Sequence, residues 1–242
     1  MATASSKIGR VSKPDAPTRP LLITIDGPAG AGKTTISRML AARLDYDYID
    51  TGALYRAVAL AAMDTGVGGD DDGGLEDLCR NLKLSFRRQA GELRLISNGE
   101  DVSDRLRTPE LTMQASAISA RPVVRAFLLK VQRELGAAKK AVFEGRDMGT
   151  VVFPEADVKF FLDADLEVRA RRRFNELQPD GGMPLSEVKD QMQRRDRNDS
   201  TRSLAPLKAA EDAIRIDSTT LDRDAVVAHM ITTISEVAGL SK

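Results

Sequence analysis

The feature that most constrains the fold of this chain is a glycine-rich stretch between an apolar run and a helical pattern. The letters LLITID lead into GPAGAGKTT at 27–35, and ISRMLAARL follows. Gly27, Gly32, Lys33 and Thr34 satisfy the pattern G-x-x-x-x-G-K-[ST], which is typical of a phosphate-binding loop when a strand precedes it and a helix follows it. The sequence therefore predicts a strand, a phosphate loop and a helix in this order.

The residue types in this loop have separate physical roles. Glycines let the backbone curl so that several N–H groups face one anion, and the following helix adds the positive end of its dipole. Lys33 can reach the β- and γ-phosphates, the Thr34 hydroxyl is placed to help hold Mg²⁺, and Thr35 is a further phosphate contact. We predict that the loop binds a nucleoside triphosphate with Mg²⁺ through Gly27, Pro28, Ala29, Gly30, Ala31, Gly32, Lys33, Thr34 and Thr35.

The composition excludes several classes of function. Basic and acidic residues balance at 36 each, so there is no positive excess of the kind that nucleic-acid binding requires. The only cysteine is Cys79 and the only histidine is His229, which rules out an intramolecular disulfide and argues against a Cys/His zinc site and histidine acid–base catalysis. We expect a cytoplasmic protein without a nucleic-acid partner.

The first 20 residues are rich in small, polar and proline residues. They contain no apolar segment like that of a signal peptide, and no stretch of the chain approaches the roughly 20 apolar residues of a membrane span. We expect 1–20 to be a disordered tail and the protein to have no membrane partner.

Short apolar runs alternate with longer amphipathic patterns from Leu21 onward. Strands are predicted over 21–25, 47–50, 140–144, 157–162 and 213–217. Helices are predicted over 32–44, 52–64, 122–135, 165–177, 185–197 and 222–237. Because strands that alternate with helices form βαβ units, we predict a three-layer α/β/α fold with a central parallel five-stranded sheet.

One region breaks this alternation. After the acidic GVGGDDDGG comes a short helical pattern, and then LKLSFRRQAGELRLISNGEDVSD, which indicates two or three antiparallel strands. We predict an inserted α+β lobe over 66–118 between two core segments, 21–65 and 119–242. The loop QPDGGMP between two arginine-rich helices predicts a short lid at about 171–184.

Two motifs that follow predicted strands suit a second, phosphorylated ligand. DTGALYR brings Thr51, Tyr55 and Arg56 to the start of a helix, where a hydroxyl, a phenol and a guanidinium suit a phosphomonoester. EGRDMG places Arg146 and Asp147 in a glycine-flanked turn at the end of a strand, where parallel sheets bind ligands. Taken alone, Tyr55 and Arg56 are more often packing and surface residues.

A charged stretch near the C-terminus, RRDRNDSTRSLAPL, holds Arg195, Asp199 and Arg202. Spacings of four and three put these side chains along one face of a helix, if the helix persists that far. The alternative is a solvated face of salt bridges. On a lid, such arginines would close over transferring phosphates. The preceding helix adds Arg169, Arg171, Arg172 and Arg173, of which we favour Arg172 and Arg173 for this role, and we predict that Arg172 contacts ATP.

Together these motifs resemble the bacterial cytidylate kinase family. The resemblance rests on ITIDGPAGAGKTT, DTGALYR, EGRDMGTVVFP, VKFFLDA and RNDSTRSLAPL, in this order and at these separations. It runs from about Ile23 to the C-terminal helix and implies an adenylate-kinase-like fold with a core, a monophosphate-binding lobe and a lid. The family often has Gly where this chain has Thr34, and Ser where it has Thr51.

The resemblance also implies a function and roles for individual residues. The implied enzyme is a monomer of pyrimidine nucleotide metabolism that transfers a phosphoryl group from ATP to CMP or dCMP, giving ADP and CDP or dCDP. CMP contacts are implied for Thr51, Tyr55, Arg56, Ser116, Arg125, Arg146, Asp147, Arg195, Asp199 and Arg202. Ser116, Arg125 and Asp147 would recognise the cytosine edge, and Asp199 would bind a sugar hydroxyl. The implied catalytic residues are Lys33, Arg146, Arg195 and Arg202.

Two alternatives stay open from the sequence. One is another phosphate-loop kinase that acts on UMP or on a hydroxyl acceptor, for which Asp26 could serve as the general base. The other is a regulator that binds ATP without useful turnover. The chain contains no N-K-x-D motif, which argues against a GTPase. A phosphate oxygen is already anionic near neutral pH, so CMP as acceptor would need no general base.

Overall fold

The computed structural model describes residues 19–178 and 182–239, so most of the predicted tail and residues 179–181 of the predicted lid lie outside the described residues. The strands are β1 (Leu22–Asp26), β2 (Asp47–Asp50), β3 (Leu84–Gln89), β4 (Glu92–Ser97), β5 (Glu100–Asp101), β6 (Ala141–Glu144), β7 (Val158–Asp163) and β8 (Ile214–Asp217). The helices are α1 (Lys33–Leu44), α2 (Thr51–Thr65), α3 (Asp72–Asn81), α4 (Pro109–Ile118), α5 (Pro122–Gly136), α6 (Leu166–Leu177), α7 (Leu185–Thr201) and α8 (Arg223–Val237). None of these helices, all drawn from the described ranges, combines the length and apolarity of a membrane span.

Five strands form one parallel sheet in the order β2-β6-β1-β7-β8, which confirms the predicted fold class. Each predicted strand of this sheet lies within one residue of its observed bounds. Ile25 of β1 and Asp50 of β2 both pair with Glu144 of β6, so the carboxyl ends of these three strands meet at one edge. Ligands of open parallel sheets bind at that edge.

Helices cover the central sheet on both faces. Every residue of β1 is buried, as expected for a strand in the middle of a parallel sheet. Ile23 and Ile25 face an apolar cluster formed with α1 and α8. Leu22 faces the other side, where the Phe143 and Phe153 rings lie with centroids 4.6 Å apart. The alternation of side chains along β1 thus supports both outer layers.

Local signals explain where most helices begin and end. The Asp50 side chain accepts a hydrogen bond from the Ala53 N–H at 3.1 Å and caps α2, and Pro122 occupies the first turn of α5. Helix α7 continues to Thr201, four residues beyond the predicted end at 197. The residues of this extension are polar and show no apolar periodicity, and Asp199 within it is buried and accepts a hydrogen bond from Arg146.

The segment that we predict to be an inserted lobe holds α3, α4 and a second sheet of antiparallel strands, in the order β3-β4-β5. One apolar cluster joins Leu75, Leu95 and Leu111 of this segment to Leu54 of α2 and Leu128 of α5. The segment therefore packs on two neighbouring helices of the predicted core. The division of the chain into core, lobe and lid stays a prediction.

Candidate active site

The loop between β1 and α1 follows a backbone path that only glycine permits at Gly27. Its φ is 148°, and a Cβ on this residue would lie 1.9 Å from the backbone oxygen of Leu162. Gly32 also has a left-handed backbone, with φ 90°, and its carbonyl accepts from the Ile36 N–H at 3.1 Å in the first turn of α1. The loop therefore lies at the carboxyl edge of the sheet with a helix N-terminus behind it.

Lys33 is the central charge of the loop. Its side chain is buried, and Nζ donates to the Pro28 carbonyl oxygen at 2.8 Å. Burial, together with the neighbouring Arg146 guanidinium, lowers the pKa of Lys33 to about 7, although the Glu144 carboxylate acts in the opposite direction. A polyanion beside Lys33 would favour its charged form. The charge of Lys33 therefore suits an anionic ligand of the loop, such as a phosphate, better than a neutral one.

Glu144, the last residue of β6, is a functional candidate that the sequence analysis missed. Its buried carboxylate accepts hydrogen bonds from the Thr34 hydroxyl at 2.9 Å and from the Tyr48 hydroxyl at 2.5 Å. Burial raises the pKa of Glu144, Asp50 adds to the rise, and Lys33 lowers it. The sequence signal that could have identified Glu144 is an acidic residue at the end of a buried strand, where β6 pairs with β1, the strand that leads into the phosphate loop.

Asp26, the last residue of β1, shapes a π-helical turn at Met148–Val152 that the sequence did not predict. Its two carboxylate oxygens accept from the N–H groups of Met148 and Gly149 at 2.9 and 2.8 Å. Burial raises the pKa of Asp26 to about 6, although these two hydrogen bonds lower it. Both oxygens are engaged by backbone donors, so Asp26 positions the turn after Asp147 and does not act as a free base in this arrangement.

Asp147 is the anion of a buried cluster on the predicted acceptor side. Its exposed fraction is 2%, its Oδ2 contacts the Arg125 guanidinium, and Arg202 lies 3.6 Å from its Oδ1. The Arg125 guanidinium in turn lies 6.0 Å from the centroid of the Tyr55 ring. Four predicted residues from separate segments thus meet, and we refer to Tyr55, Arg125, Asp147 and Arg202 as the Asp147 cluster.

Arg146, Arg195 and Asp199 form a second charged group, which electrostatic interactions connect to Lys33. Arg146 Nε donates to Asp199 Oδ2 at 3.1 Å. Burial, together with the Arg146 charge, lowers the pKa of Arg195 to about 10. Within the part of the chain that the structure describes, Arg195 Nε has no hydrogen-bond partner. Two neighbouring cations and a free buried donor provide a place for an anion.

The remaining predicted acceptor residues differ in placement. The buried Thr51 hydroxyl donates to the main-chain carbonyl at the end of β6 at 2.6 Å, and Arg56 pairs with Asp50 at 2.7 Å. Ser116 is half-buried on α4, where its carbonyl accepts from the Ser119 hydroxyl at 2.7 Å. Among the described residues no side-chain hydrogen bond joins Ser116 to the Asp147 cluster, so its role stays a prediction.

Known proteins match this chain over nearly its whole length. A family model described as Cytidylate kinase matches residues 23–236. The chain belongs to the cytidylate kinase family. A protein named cytidylate kinase from Geobacter sulfurreducens is 50% identical over 90% of this chain and 94% of its own length. One from Citrifermentans bemidjiense is 49% identical over 89% of this chain and 93% of its own length. A solved gluconokinase from Sinorhizobium meliloti 1021 is 14% identical, with a TM-score of 0.49, over 91% of this chain and 94% of that one.

In this member of the cytidylate kinase family, Arg169 fastens the phosphate loop to the arginine-rich helices. Its guanidinium donates to the carbonyl oxygens of Ala164 at 2.8 Å and Ala29 at 3.0 Å, and pairs with Asp196 of α7 at 2.6 Å. The sequence favoured Arg172 and Arg173 over this buried residue, because nothing in RARRR distinguishes one arginine of α6 from the next. Its contacts identify it as a positioning residue for the loop.

Arg172, predicted to contact ATP, lies beside the phosphate loop. Its guanidinium donates to the Ser218 hydroxyl at 3.1 Å and to the Ser218 carbonyl at 2.7 Å. The same hydroxyl donates to the carbonyl oxygen of Ala31 in the loop at 3.1 Å. Arg172 is therefore joined to the loop through one serine, and its contact with ATP stays a prediction.

The oxygen atoms around Thr34 suit a hard divalent cation. Mg²⁺ prefers oxygen ligands, and phosphate-loop enzymes hold it with the loop hydroxyl, an acidic residue and the nucleotide phosphates. Thr34 and Glu144 bring a hydroxyl and a carboxylate together. Over residues 19–178 and 182–239, no group of three or more His, Cys, Asp or Glu side chains could hold a metal ion by itself. A metal here would depend on the nucleotide for its other ligands.

Proposed function

We propose that this protein transfers the γ-phosphoryl group of ATP to CMP or dCMP and releases ADP and CDP or dCDP. The observation that carries the proposal is that Lys33 of the phosphate loop interacts electrostatically with Arg146 and Arg195, and that Arg146 is the neighbour of Asp147 in the chain. Two anionic reactants repel each other, and preorganised cations offset that repulsion as charge moves in the transition state. A protein that only bound ATP would not need the second arginine group.

On the donor side, the backbone N–H groups of 27–35 would hold the ATP phosphates. Lys33 would exchange the Pro28 carbonyl for the β- and γ-phosphate oxygens, and Thr35 and Arg172 would add further contacts. Mg²⁺ would be held by Thr34 and Glu144 together with the phosphates, and when bound it supplies positive charge that neutralises the transferring group.

On the acceptor side, a buried carboxylate explains a preference for cytosine. Asp147 can accept a hydrogen bond from the exocyclic amine, whereas uracil presents a carbonyl and leaves the carboxylate unpaired, at a cost of about 1–3 kcal/mol. Ser116 and Arg125 would recognise the cytosine edge together with Asp147. Thr51, Tyr55 and Arg56 would contact the sugar and phosphate side of the acceptor, and Asp199 would bind a sugar hydroxyl.

The transfer itself needs no general base from the protein. A phosphate oxygen of CMP attacks the γ-phosphorus, a new phosphorus–oxygen bond forms, and the bond to the bridging oxygen of ADP breaks. Lys33, Arg146, Arg195 and Arg202 would act by positioning and electrostatic stabilisation. A transfer without a general base is consistent with the position of His229, the one histidine of the chain. It lies on α8, which packs on the face of the central sheet opposite to the turn that follows Asp147.

We also propose that the predicted lobe at 66–118 and the lid at about 171–184 close over the two nucleotides and exclude water, so that ATP is not hydrolysed. The predicted core segments, 21–65 and 119–242, supply both phosphate sites. We expect the protein to act as a monomer, as the family resemblance implies, and in the cytoplasm, as its single cysteine indicates.

The decisive experiment measures ADP release from purified protein with ATP, Mg²⁺ and a panel of acceptors. We expect turnover with CMP and dCMP, weaker turnover with UMP, and none with AMP or with a hydroxyl acceptor such as shikimate. Preferred turnover of UMP or of a hydroxyl acceptor would favour a different phosphate-loop kinase. ATP binding without turnover of any pyrimidine nucleotide would contradict the proposal and favour an ATP-binding regulator.

A further inference from the structure

Gln132 of α5 carries a buried amide without a hydrogen-bond partner. Its exposed fraction is 1%, and among the residues that the structure describes neither its side-chain nitrogen nor its oxygen is paired. Nearly all buried polar groups in folded proteins are hydrogen-bonded, because an unpaired one destabilises the native state. A long polar side chain at such a position therefore calls for a functional explanation.

The position of Gln132 connects it to the Asp147 cluster. Gln132 follows Arg125 by seven residues, about two turns, so both side chains lie on the same face of α5. Both line a cavity of about 260 Å³ together with Tyr55. Most of the remaining wall is apolar and includes Leu129 and Leu204. The cavity thus adjoins the cluster through two of its members, with the Gln132 amide in its wall.

The Tyr55 hydroxyl is the chemical complement of this amide. A phenol both donates and accepts a hydrogen bond, and a side-chain amide offers one group of each kind. Burial raises the pKa of Tyr55. The Tyr55 and Gln132 side chains line the same cavity, with no described hydrogen bond between the phenol and the amide. Arg125 lies over the Tyr55 ring and contacts Asp147. Gln132 therefore shares a cavity with Tyr55 and Arg125, and Arg125 contacts the carboxylate that would recognise the base.

We propose that Gln132 is a positioning residue for recognition of the acceptor base. Its amide pairs with the Tyr55 hydroxyl when the nucleotide is bound, and so fixes the ring that supports Arg125 against Asp147. This role rests on the proposed function, which supplies the identity of the acceptor. Gln132 itself touches no substrate and acts only through Tyr55 and Arg125.

The test is a double-mutant cycle between Gln132→Met and Tyr55→Phe. Met keeps the length and approximate volume of Gln but removes both polar atoms, and Phe removes only the hydroxyl. We expect Gln132→Met to raise the KM for CMP about five- to tenfold and to reduce the preference for CMP over UMP, with kcat and the KM for ATP unchanged. The double variant should be no worse than the more severe single variant. The Tm of Gln132→Met should not fall, because no described hydrogen bond is lost.

Leu129→Met is the matched control, since Leu129 lines the same cavity and the exchange conserves volume, and it should keep the parental KM for CMP. A parental KM for CMP in Gln132→Met, or effects that multiply in the double variant, would overturn the role of Gln132. A lower Tm of Gln132→Met, together with equal rises in its KM for CMP and its KM for ATP, would also overturn this role, because it would show that Gln132 is merely structural. Absence of CMP turnover in the parent would instead overturn the proposed function, and base recognition by Gln132 with it.

Discussion

The phosphate loop and the Asp147 cluster are built by different physical means. The loop uses backbone: glycines at positions where φ is positive, N–H groups that face one direction, and one buried lysine. The cluster uses side chains from α2, from α5, from the turn after β6 and from the residue that follows α7. The loop residues are nine neighbours in sequence, whereas Arg125 and Asp147 of the cluster are 22 residues apart.

This difference predicts how each site responds to change. On the donor side the backbone geometry is fixed by close approach, as at Gly27 against Leu162, so loss of one charge should leave the loop in place and affect mainly catalysis. On the acceptor side each charged group holds another, so loss of one member should disturb its partners and change substrate selectivity. The predictions below test this contrast.

Removal of the buried donor-side cation should have the largest effect. Lys33→Met keeps an unbranched side chain but no charge, and we expect kcat to fall about 10²- to 10³-fold, since a preorganised group no longer meets the developing charge. ADP release at saturating ATP and CMP measures this. Lys159→Met is the control, because Lys159 is also buried but pairs with Asp212, and it should lose stability while retaining kcat. An unchanged kcat in Lys33→Met would contradict the donor-side assignment.

On the acceptor side, Asp147→Asn should change selectivity. We expect the KM for CMP to rise about 10- to 100-fold and the preference for CMP over UMP to shrink, with the KM for ATP unchanged, because an amide no longer offers two acceptor oxygens to the exocyclic amine and to Arg125. Initial rates with CMP, UMP and ATP as the varied substrate give these values. Retention of full CMP preference would show that another group selects the base.

The pH dependence of stability should separate Asp26 from the ion-paired carboxylates. The pKa of Asp26 is about 6 in the folded chain against a usual value of 3.8. Between these values the folded protein holds a proton that the unfolded chain has released, so the contribution of Asp26 to stability falls as pH rises through this window and is constant above it. The free energy of unfolding of Asp26→Asn, measured relative to that of the parent, should therefore rise by about 2 kcal/mol from about pH 4.5 to about pH 7.5.

Urea unfolding of parent and variant at both pH values measures this change, and the comparison cancels the other titrating groups. Asp157→Asn is the control. Burial acts to raise the pKa of Asp157, but hydrogen bonds from the Leu22 N–H, Arg19 and Lys139 lower it, so its carboxylate stays charged throughout this window. The stability difference between Asp157→Asn and the parent should therefore stay nearly constant. The same constancy for Asp26→Asn would show that its carboxyl holds no extra proton.

The smallest effect is expected for the group that would read the sugar. Asp199→Ala should raise the KM for CMP about fivefold more than the KM for dCMP, since only the ribonucleotide offers the 2′-hydroxyl. Asp190→Ala, an exposed aspartate on the same helix, is the control and should change neither value. Equal losses with both acceptors would indicate that Asp199 acts only by holding Arg146.

Much of the fold was predictable because its signals are local. All five strands of the central sheet were predicted, and the helix predicted from 122 begins at Pro122 in the structure. The π-helical turn after Asp147 was not predictable, because the two hydrogen bonds that define it come from Asp26, more than a hundred residues earlier. The end of α7 was misplaced for a similar reason, since Asp199 is buried by other elements.

The candidate site divides in the same way. The phosphate loop is visible in the letters because one short segment contains both its glycines and its lysine. Glu144 and Arg169 could not be identified from the sequence. An acidic residue at a strand end and one arginine among four are recognised as site residues only by their contacts with Thr34 and Ala29. Gln132 has no sequence signal at all, and only its burial without a partner draws attention to it.

The sequence by itself determined the order of strands and helices, the phosphate loop and the family, because apolar periodicity and contiguous motifs depend on neighbours along the chain. The tertiary structure alone decided which charges share a partner, which arginine holds the loop and which carboxylate meets Thr34. Those pairings join residues from different elements, and their strength depends on burial and on distances of a few ångströms, neither of which is encoded by spacing along the chain.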